Sequence, residues 1–235
     1  MFTIEGLSVR YGKFSVLSDL NLTIQTPSVF GLVGLNGAGK TTLFNALTGI
    51  VNYSARRIDF NGTALDYSRI AYLESDSYFY PDITGNDYLR VFKRKYTKFP
   101  IESWQEIFGL PLEQPVEHYS AGMKKKLALL GALALDKELL LLDEPYNSLD
   151  LESVQILQVI IGRVKEIGKT VILSSHILDS LIPVCDSIGI LSSGRIEKVY
   201  SSSDYENLQK IFNYYIDEKY GSIIRDALPK EETDR

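Results

Sequence analysis

Near the amino terminus, Ile4, Leu7 and Val9 are spaced around Gly6, and Leu20, Leu22 and Ile24 alternate with Asn21, Thr23 and Gln25. Side chains along a strand point alternately to its two faces, so this period of two predicts strands with one face buried. Val29 to Val33 (VFGLV) is instead a continuous apolar run, the pattern of a strand covered on both faces, and Gly34 opens a glycine-rich turn. A helix from Lys40 to Leu47 is expected next, ending at Gly49. Further strands are predicted at Arg57 to Phe60, Ile70 to Leu73, Leu139 to Leu142, Thr170 to Leu173, Ile188 to Leu191 and Arg195 to Val199, with turns at Asn61-Gly62 and Ser193-Gly194.

Between Ser75 and Leu135 the strand pattern gives way to helix-compatible stretches at Asn86 to Tyr96, Ile101 to Phe108 and Ala121 to Leu135, which predict a helical insertion. Leu151 to Ile167 places Val154, Leu157, Ile160, Ile161 and Val164 on one helical stripe, as a helix covering a sheet would. After Tyr200 one more helix is expected at Asn207 to Ile216, and the charged end from Pro229 to Arg235 is expected to fray. Strands alternating with helices predict an α/β fold.

Composition narrows the class. With 45% hydrophobic residues in 235, the chain can bury a full core and is expected to fold as one domain. A net charge of −5 offers no broad nucleic-acid surface, so no nucleic-acid partner is expected. The longest apolar run, Leu127 to Leu135, falls far short of the ~20 residues that cross a bilayer. The first residues carry Glu5 and no basic segment leading into an apolar one, so no secretion signal is expected. A single cysteine, Cys185, rules out an internal disulfide framework and suits a reducing compartment.

Gly34-Leu35-Asn36-Gly37-Ala38-Gly39-Lys40-Thr41 has two glycines around four residues, then a lysine and a hydroxyl. Glycines let the backbone wrap closely around a phosphate, while the amide groups of a helix amino terminus turn their positive ends toward the anion. Lys40 adds a full charge, Thr41 offers a hydroxyl to a magnesium ion bridging the outer phosphates, and Thr42 follows in the same turn. A buried strand before the motif and a helix after it are the context a phosphate loop needs, and they predict a P-loop NTPase core.

Leu139 to Leu142 delivers Asp143 and Glu144 at its carboxyl end, the edge where ligands bind in open α/β sheets. Asp143 is suited to orient magnesium through its water shell and Glu144 to polarise an attacking water. Pro145 is expected to hold Glu144 in an extended backbone. Lys124, Lys125 and Lys126 read as a solvated helix start, the alternative being contact with a partner or acidic lipid.

Taken together, the sequence resembles the nucleotide-binding subunits of ABC transporters over residues 1 to about 200. Tyr119-Ser120-Ala121-Gly122-Met123, directly before a long helix, is similar to that family's signature motif. Ser148-Leu149-Asp150 resembles its D-loop, His176 its switch histidine and Tyr11 its adenine-stacking aromatic. The resemblance implies an ATPase that binds ATP and Mg2+. Its nucleotide contacts would be Tyr11, Asn36, Gly37, Ala38, Gly39, Lys40, Thr41, Thr42, Ser120, Gly122 and Asp150, its metal contacts Thr41, Asp143 and Ser75, and its catalytic groups Glu144, His176 and Lys40.

The resemblance also implies a mixed sheet with an amino-terminal antiparallel β region and an inserted α-helical subdomain. The expected division is a core of residues 1–74 and 136–200, a helical signature subdomain of residues 75–135, and a carboxyl-terminal helix and tail of residues 201–235. Further implications are a homodimer, or a heterodimer with a similar subunit, around two ATP, a separate integral membrane permease, and a cytoplasmic place on the inner face of the membrane. Soluble ABC-type ATPases acting on ribosomes or DNA usually fuse two such domains or carry a coiled coil, which this chain lacks. The remaining alternative is a non-catalytic nucleotide-dependent regulatory module. The short interval from Ser75 to Ser120 and the run Ser174 to Leu178 resemble exporter-associated subunits.

Three positions depart from the family pattern. The hinge glutamine is replaced by Ser75, preceded by Glu74, which implies weaker or differently coupled hydrolysis. Ala121 and Met123 stand where the signature usually has glycine and glutamine; Ala121 is tolerated if its φ is negative, and Met123 removes an amide that would bond ribose. Some of Tyr78, Phe79, Tyr80, Phe92, Tyr96, Phe99, Trp104 and Phe108 are expected to line a groove for a partner's helix, and most to form core.

Overall fold

The computed structural model describes residues 1–93 and 99–228. In chain order, β1 (Phe2–Tyr11) and β2 (Phe14–Ile24) precede β3 (Val29–Val33), α1 (Lys40–Leu47), β4 (Arg57–Phe60), β5 (Thr63–Ala64) and β6 (Ile70–Leu73). The insertion carries α2 (Gly85–Lys93), α3 (Ile101–Phe108) and α4 (Ala121–Ala134). Then follow β7 (Leu139–Leu142), α5 (Leu151–Glu166), β8 (Thr170–Ser175), β9 (Ser187–Ser192), β10 (Arg195–Ser201) and α6 (Tyr205–Ala227).

Two sheets result. One is antiparallel in the order β2-β1-β4-β5, and the other has the order β10-β9-β3-β8-β7-β6. In the second, β3 runs parallel to β8 and β9, β7 runs parallel to β6 and β8, and only the edge strand β10 is antiparallel to its neighbour. This is the mixed α/β architecture that the alternation of patterns predicts, with the antiparallel sheet at the amino-terminal end of the chain.

The continuous run in β3 is buried at all five positions because both of its faces are covered. Phe30 and Leu32 join a cluster with Phe2 and Leu17 of the antiparallel sheet and Phe44 of α1. Val29 and Val33 join another with Leu127 of α4 and Leu157 of α5. Full burial of one such side chain contributes about 1.5–3 kcal/mol, so the two layers fix β3 in place and hold the loop that leaves it.

In the insertion, Phe99, Trp104 and Phe108 stack with centroids 6.0 and 6.1 Å apart, and Phe79, Tyr88 and Phe92 pack edge to face. These aromatics serve the interior. Tyr78 and Tyr80 do not: they are 74% and 73% exposed. The expected helix Asn86 to Tyr96 lies partly outside the described residues, and so does Tyr96. The carboxyl-terminal helix is longer than its pattern, running from Tyr205 to Ala227. It is anchored at its start, where Leu208 is buried and the Tyr205 hydroxyl donates to the Cys185 carbonyl at 3.0 Å. Residues 229–235 lie outside the described set.

Candidate active site

Strands β3, β7 and β8 lie side by side and parallel, so the segments leaving their carboxyl ends converge on one edge. After β3 comes the phosphate loop. Its Gly37 and Gly39 have φ of 82° and 109°, a left-handed backbone that a side chain would strain. Gly39 is also the residue before α1, and a Cβ there would stand 2.7 Å from Leu17 Cδ2. No side chain caps α1, which leaves its first amide groups facing the cleft as an anion site.

The acids after β7 are wired to this loop. Asp143 is fully buried; its Oδ2 accepts from the Thr41 hydroxyl at 2.6 Å and its Oδ1 from the Ser174 hydroxyl at 2.5 Å. A hydroxyl beside a carboxylate is a set of hard oxygen donors that fits magnesium, which takes few protein ligands and keeps waters and phosphates for the rest. Glu144 Oε1 lies 3.3 Å from Lys40 Nζ, and its Oε2 lies 2.9 Å from His176 Nδ1. Lys40 Nζ also donates to the Gly34 carbonyl at 2.7 Å. A carboxylate gripped from two sides at the rim of a phosphate loop is placed to accept a proton from water.

Glu144 is not extended. Its φ is 45°, a conformation costing about 1–3 kcal/mol in a residue other than glycine. The preference set by Pro145 is overridden by local bonds, since the Glu144 amide donates to Ser174 Oγ at 3.0 Å while Lys40 and His176 hold its carboxylate. Ser174 therefore bridges both acids, a role that its place at the head of the Ser174 to Leu178 run does not disclose in sequence.

Across the cleft stands the start of α4. Ser120 caps the helix, accepting the Met123 amide at 3.2 Å. Ala121 is its first residue, in helical backbone, so the missing signature glycine costs no strain there. A Cβ on Gly122 would meet the Ser148 carbonyl at 2.6 Å, so glycine is needed for this close approach to the segment after Glu144. Met123 packs against the core. Asp150 caps α5, its Oδ1 accepting from the Ser153 amide and hydroxyl, and these bonds with Lys126 nearby hold its carboxyl at about 2.

The three lysines of α4 are not a uniformly solvated start. Lys124 and Lys126 are half-buried and Lys125 is buried. Lys126 pairs with Asp150 at 3.5 Å, and the Lys125 ammonium donates to the carbonyls of Glu74 and Ser75 at 3.1 and 2.7 Å. Burial pushes the Lys125 pKa down, and the charges of Asp143, Asp76 and Glu144 oppose that shift. A charge run defaults to solvent in sequence, but here the hinge supplies carbonyl acceptors that let one ammonium go under.

The cleft between these walls holds about 760 Å³ and is lined by Asn36, Gly37, Gly39, Lys40, Thr41, Thr42, Ser75, Glu144 and His176 among the expected residues. Ala38 lies within the loop, and Asp143 lies beneath Thr41. Ser120, Gly122, Asp150 and Tyr11 are outside the lining; Tyr11 ends β1 and is 47% exposed. Lining residues that the sequence does not mark include Val16, Asp76, Ser77 and Asn147, together with Lys124 and Lys125 in that role, while Ser148 and Ala121 line it from the D-loop-like and signature-like segments.

Residues 17–147 match the family described as ABC transporter. The chain belongs to this family, as an ATP-binding subunit. It is 34% identical over 226 residues to the lantibiotic transport ATP-binding protein SrtF of Streptococcus pyogenes, covering 92% of this chain and 97% of that one. To the bacitracin transport ATP-binding protein BcrA of Enterococcus faecalis it is 29% identical, over 85% of this chain and 69% of that protein. A solved ATP-binding subunit of an ABC transporter superposes with a TM-score of 0.79 at 26% identity, covering 94% of this chain and 93% of the other.

An ATP-binding subunit of this family is an ATPase coupled to transport. In this ABC subunit the phosphate loop and the paired Glu144 and His176 line one cleft, with the buried Asp143 bonded to Thr41 beneath it. No helix among the described residues is long and apolar enough to cross a membrane.

Proposed function

We propose that two copies of this chain, or this chain and a similar subunit, close around two ATP molecules and drive a separate integral membrane permease that works as an exporter. The observation carrying this reading is the bracing of Glu144 between Lys40 and His176 on the floor of the cleft, opposite the Ser120 to Gly122 helix start. In each site the loop amides of Asn36 to Thr42 and the Lys40 ammonium hold the β- and γ-phosphates. Thr41 and Asp143, with Ser75 at the hinge, would hold a magnesium ion, which would supply charge neutralisation. Glu144 takes the proton of the attacking water, and His176, which holds that carboxylate through Nδ1, would also donate from Nε2 toward the γ-phosphate when its ring carries both protons.

Ser120 and Gly122 of the opposing copy would close the site. Their place outside the lining of a single chain's cleft supports a role across a dimer interface. Asp150 would act from the same interface, and Tyr11 would stack on adenine. Residues 1–74 and 136–200 would then form the nucleotide core, residues 75–135 the moving subdomain and residues 201–235 an appended helix and tail, all on the cytoplasmic face of the membrane. Relatives named for lantibiotic and bacitracin transport support the exporter reading.

Tyr78 and Tyr80 are proposed to meet the permease, since they stand out beside an aromatic core that already satisfies Phe79 and Tyr88. Tagged protein purified from detergent-solubilised membranes is expected to bring an integral membrane protein with it. The double change Tyr78→Ala with Tyr80→Ala is expected to lose that companion while keeping phosphate release within about twofold, because exposed side chains contribute little to folding. Recovery of the tagged chain without any membrane protein would contradict the proposed partner.

A further inference from the structure

Lys125 is 7% exposed, yet it stands in a run of three lysines and serves no step of the mechanism above. Its ammonium carries three donors. Two are directed at the carbonyls of Glu74 and Ser75, the residues leading from β6 into the insertion, and the side chain also lines the cleft with Ser75 and Glu144. Burying an ammonium carries a desolvation penalty of several kcal/mol, whereas an apolar side chain of the same length would fill the space without that penalty. Stability alone is therefore a weak reason for a lysine here. Its bonds join two segments 50 residues apart in sequence, the hinge and the first turns of α4.

We propose that Lys125 is a positioning residue for hydrolysis: it ties the Glu74–Ser75 hinge to the signature helix, so that Ser75 keeps its place in the cleft and α4 moves with the hinge. The inference rests on the ATPase reading and adds to it a route by which events at the nucleotide reach the helical subdomain. The link between Ser75 and α4 runs through the Ser75 main-chain carbonyl, to which Lys125 donates.

The test compares the wild-type chain with Lys125→Met and Lys125→Arg. The methionine keeps the stem and loses the charge-assisted bonds, so kcat is expected to fall about tenfold with KM for ATP within about twofold. The arginine, which retains donors, is expected to recover most of that loss. Amide exchange at residues 75–77 of the nucleotide-free protein is expected to quicken in the methionine variant and not in the arginine variant. A methionine variant with wild-type kcat and unchanged exchange would overturn the tie, as would equal losses in both variants. If wild type itself releases no phosphate, the ATPase reading fails, and the exchange measurement still decides whether Lys125 holds the hinge.

Discussion

Glu144→Gln is expected to lower ATP turnover by about 10²–10⁴-fold, the range for removing a positioned general base. The change keeps the shape of the side chain and removes its charge, so the left-handed backbone at φ 45° and the amide bond to Ser174 can persist. Lys40 and His176 bond different oxygens of Glu144, so glutamine keeps an oxygen for one of them and turns an amide toward the other, and neither end accepts a proton from water. Nucleotide affinity is expected to hold, because in the proposed site the phosphate contacts would come from the loop amides and Lys40. Phosphate release measured under saturating ATP and magnesium checks this, and equal rates in variant and wild type would remove Glu144 from the reaction.

Lys40→Met is expected to weaken ATP binding by about 100-fold, the loss of one to two charge-assisted bonds of about 1.5–3 kcal/mol each. The same change should also destabilise the protein, because Glu144 is largely buried and would lose its ammonium partner. The two consequences separate in the double variant Lys40→Met with Glu144→Gln. Removing the uncompensated charge should restore most of the resistance to urea, whereas ATP affinity should remain low. Titration calorimetry and urea denaturation read the two effects independently. Affinity regained along with stability would mean that Lys40 acts on folding and not on phosphate.

What the sequence discloses depends on how local the cause is. The phosphate loop was legible because its requirements lie in adjacent residues: a strand buried on both faces, glycines at two left-handed positions and a helix start. Helix α3 and strands β6 and β7 were legible for the same reason, their periods being complete within a few residues. Ser174 was not, since its hydroxyl gains meaning only when β8 pairs with β7 and brings it to Asp143, 31 residues away. The backbone of Glu144 departs from the extended form because a preference set by one neighbour yields to bonds from two other segments, Lys40 of the phosphate loop and Ser174 with His176 at the end of β8.

Lys125 belongs to the same class, its burial decided by two carbonyls of the hinge. The exposed pair Tyr78 and Tyr80 could not be told from the core aromatics beside them until α2 and α4 placed Phe79 and Tyr88 inside. The length of α6 is not legible because Asp217 to Lys219 is charged, Gly221 follows, and the apolar Ile223 and Ile224 are adjacent, so no apolar stripe marks its later turns.

The most direct measurement is the mass of the Glu144→Gln chain in solution by sedimentation, with saturating ATP and magnesium and again with ADP. A dimer with ATP that reverts to monomer with ADP is the predicted result. A chain that stays monomeric with ATP, both alone and after reconstitution with its membrane partner, would contradict a mechanism in which two copies clasp nucleotide between them.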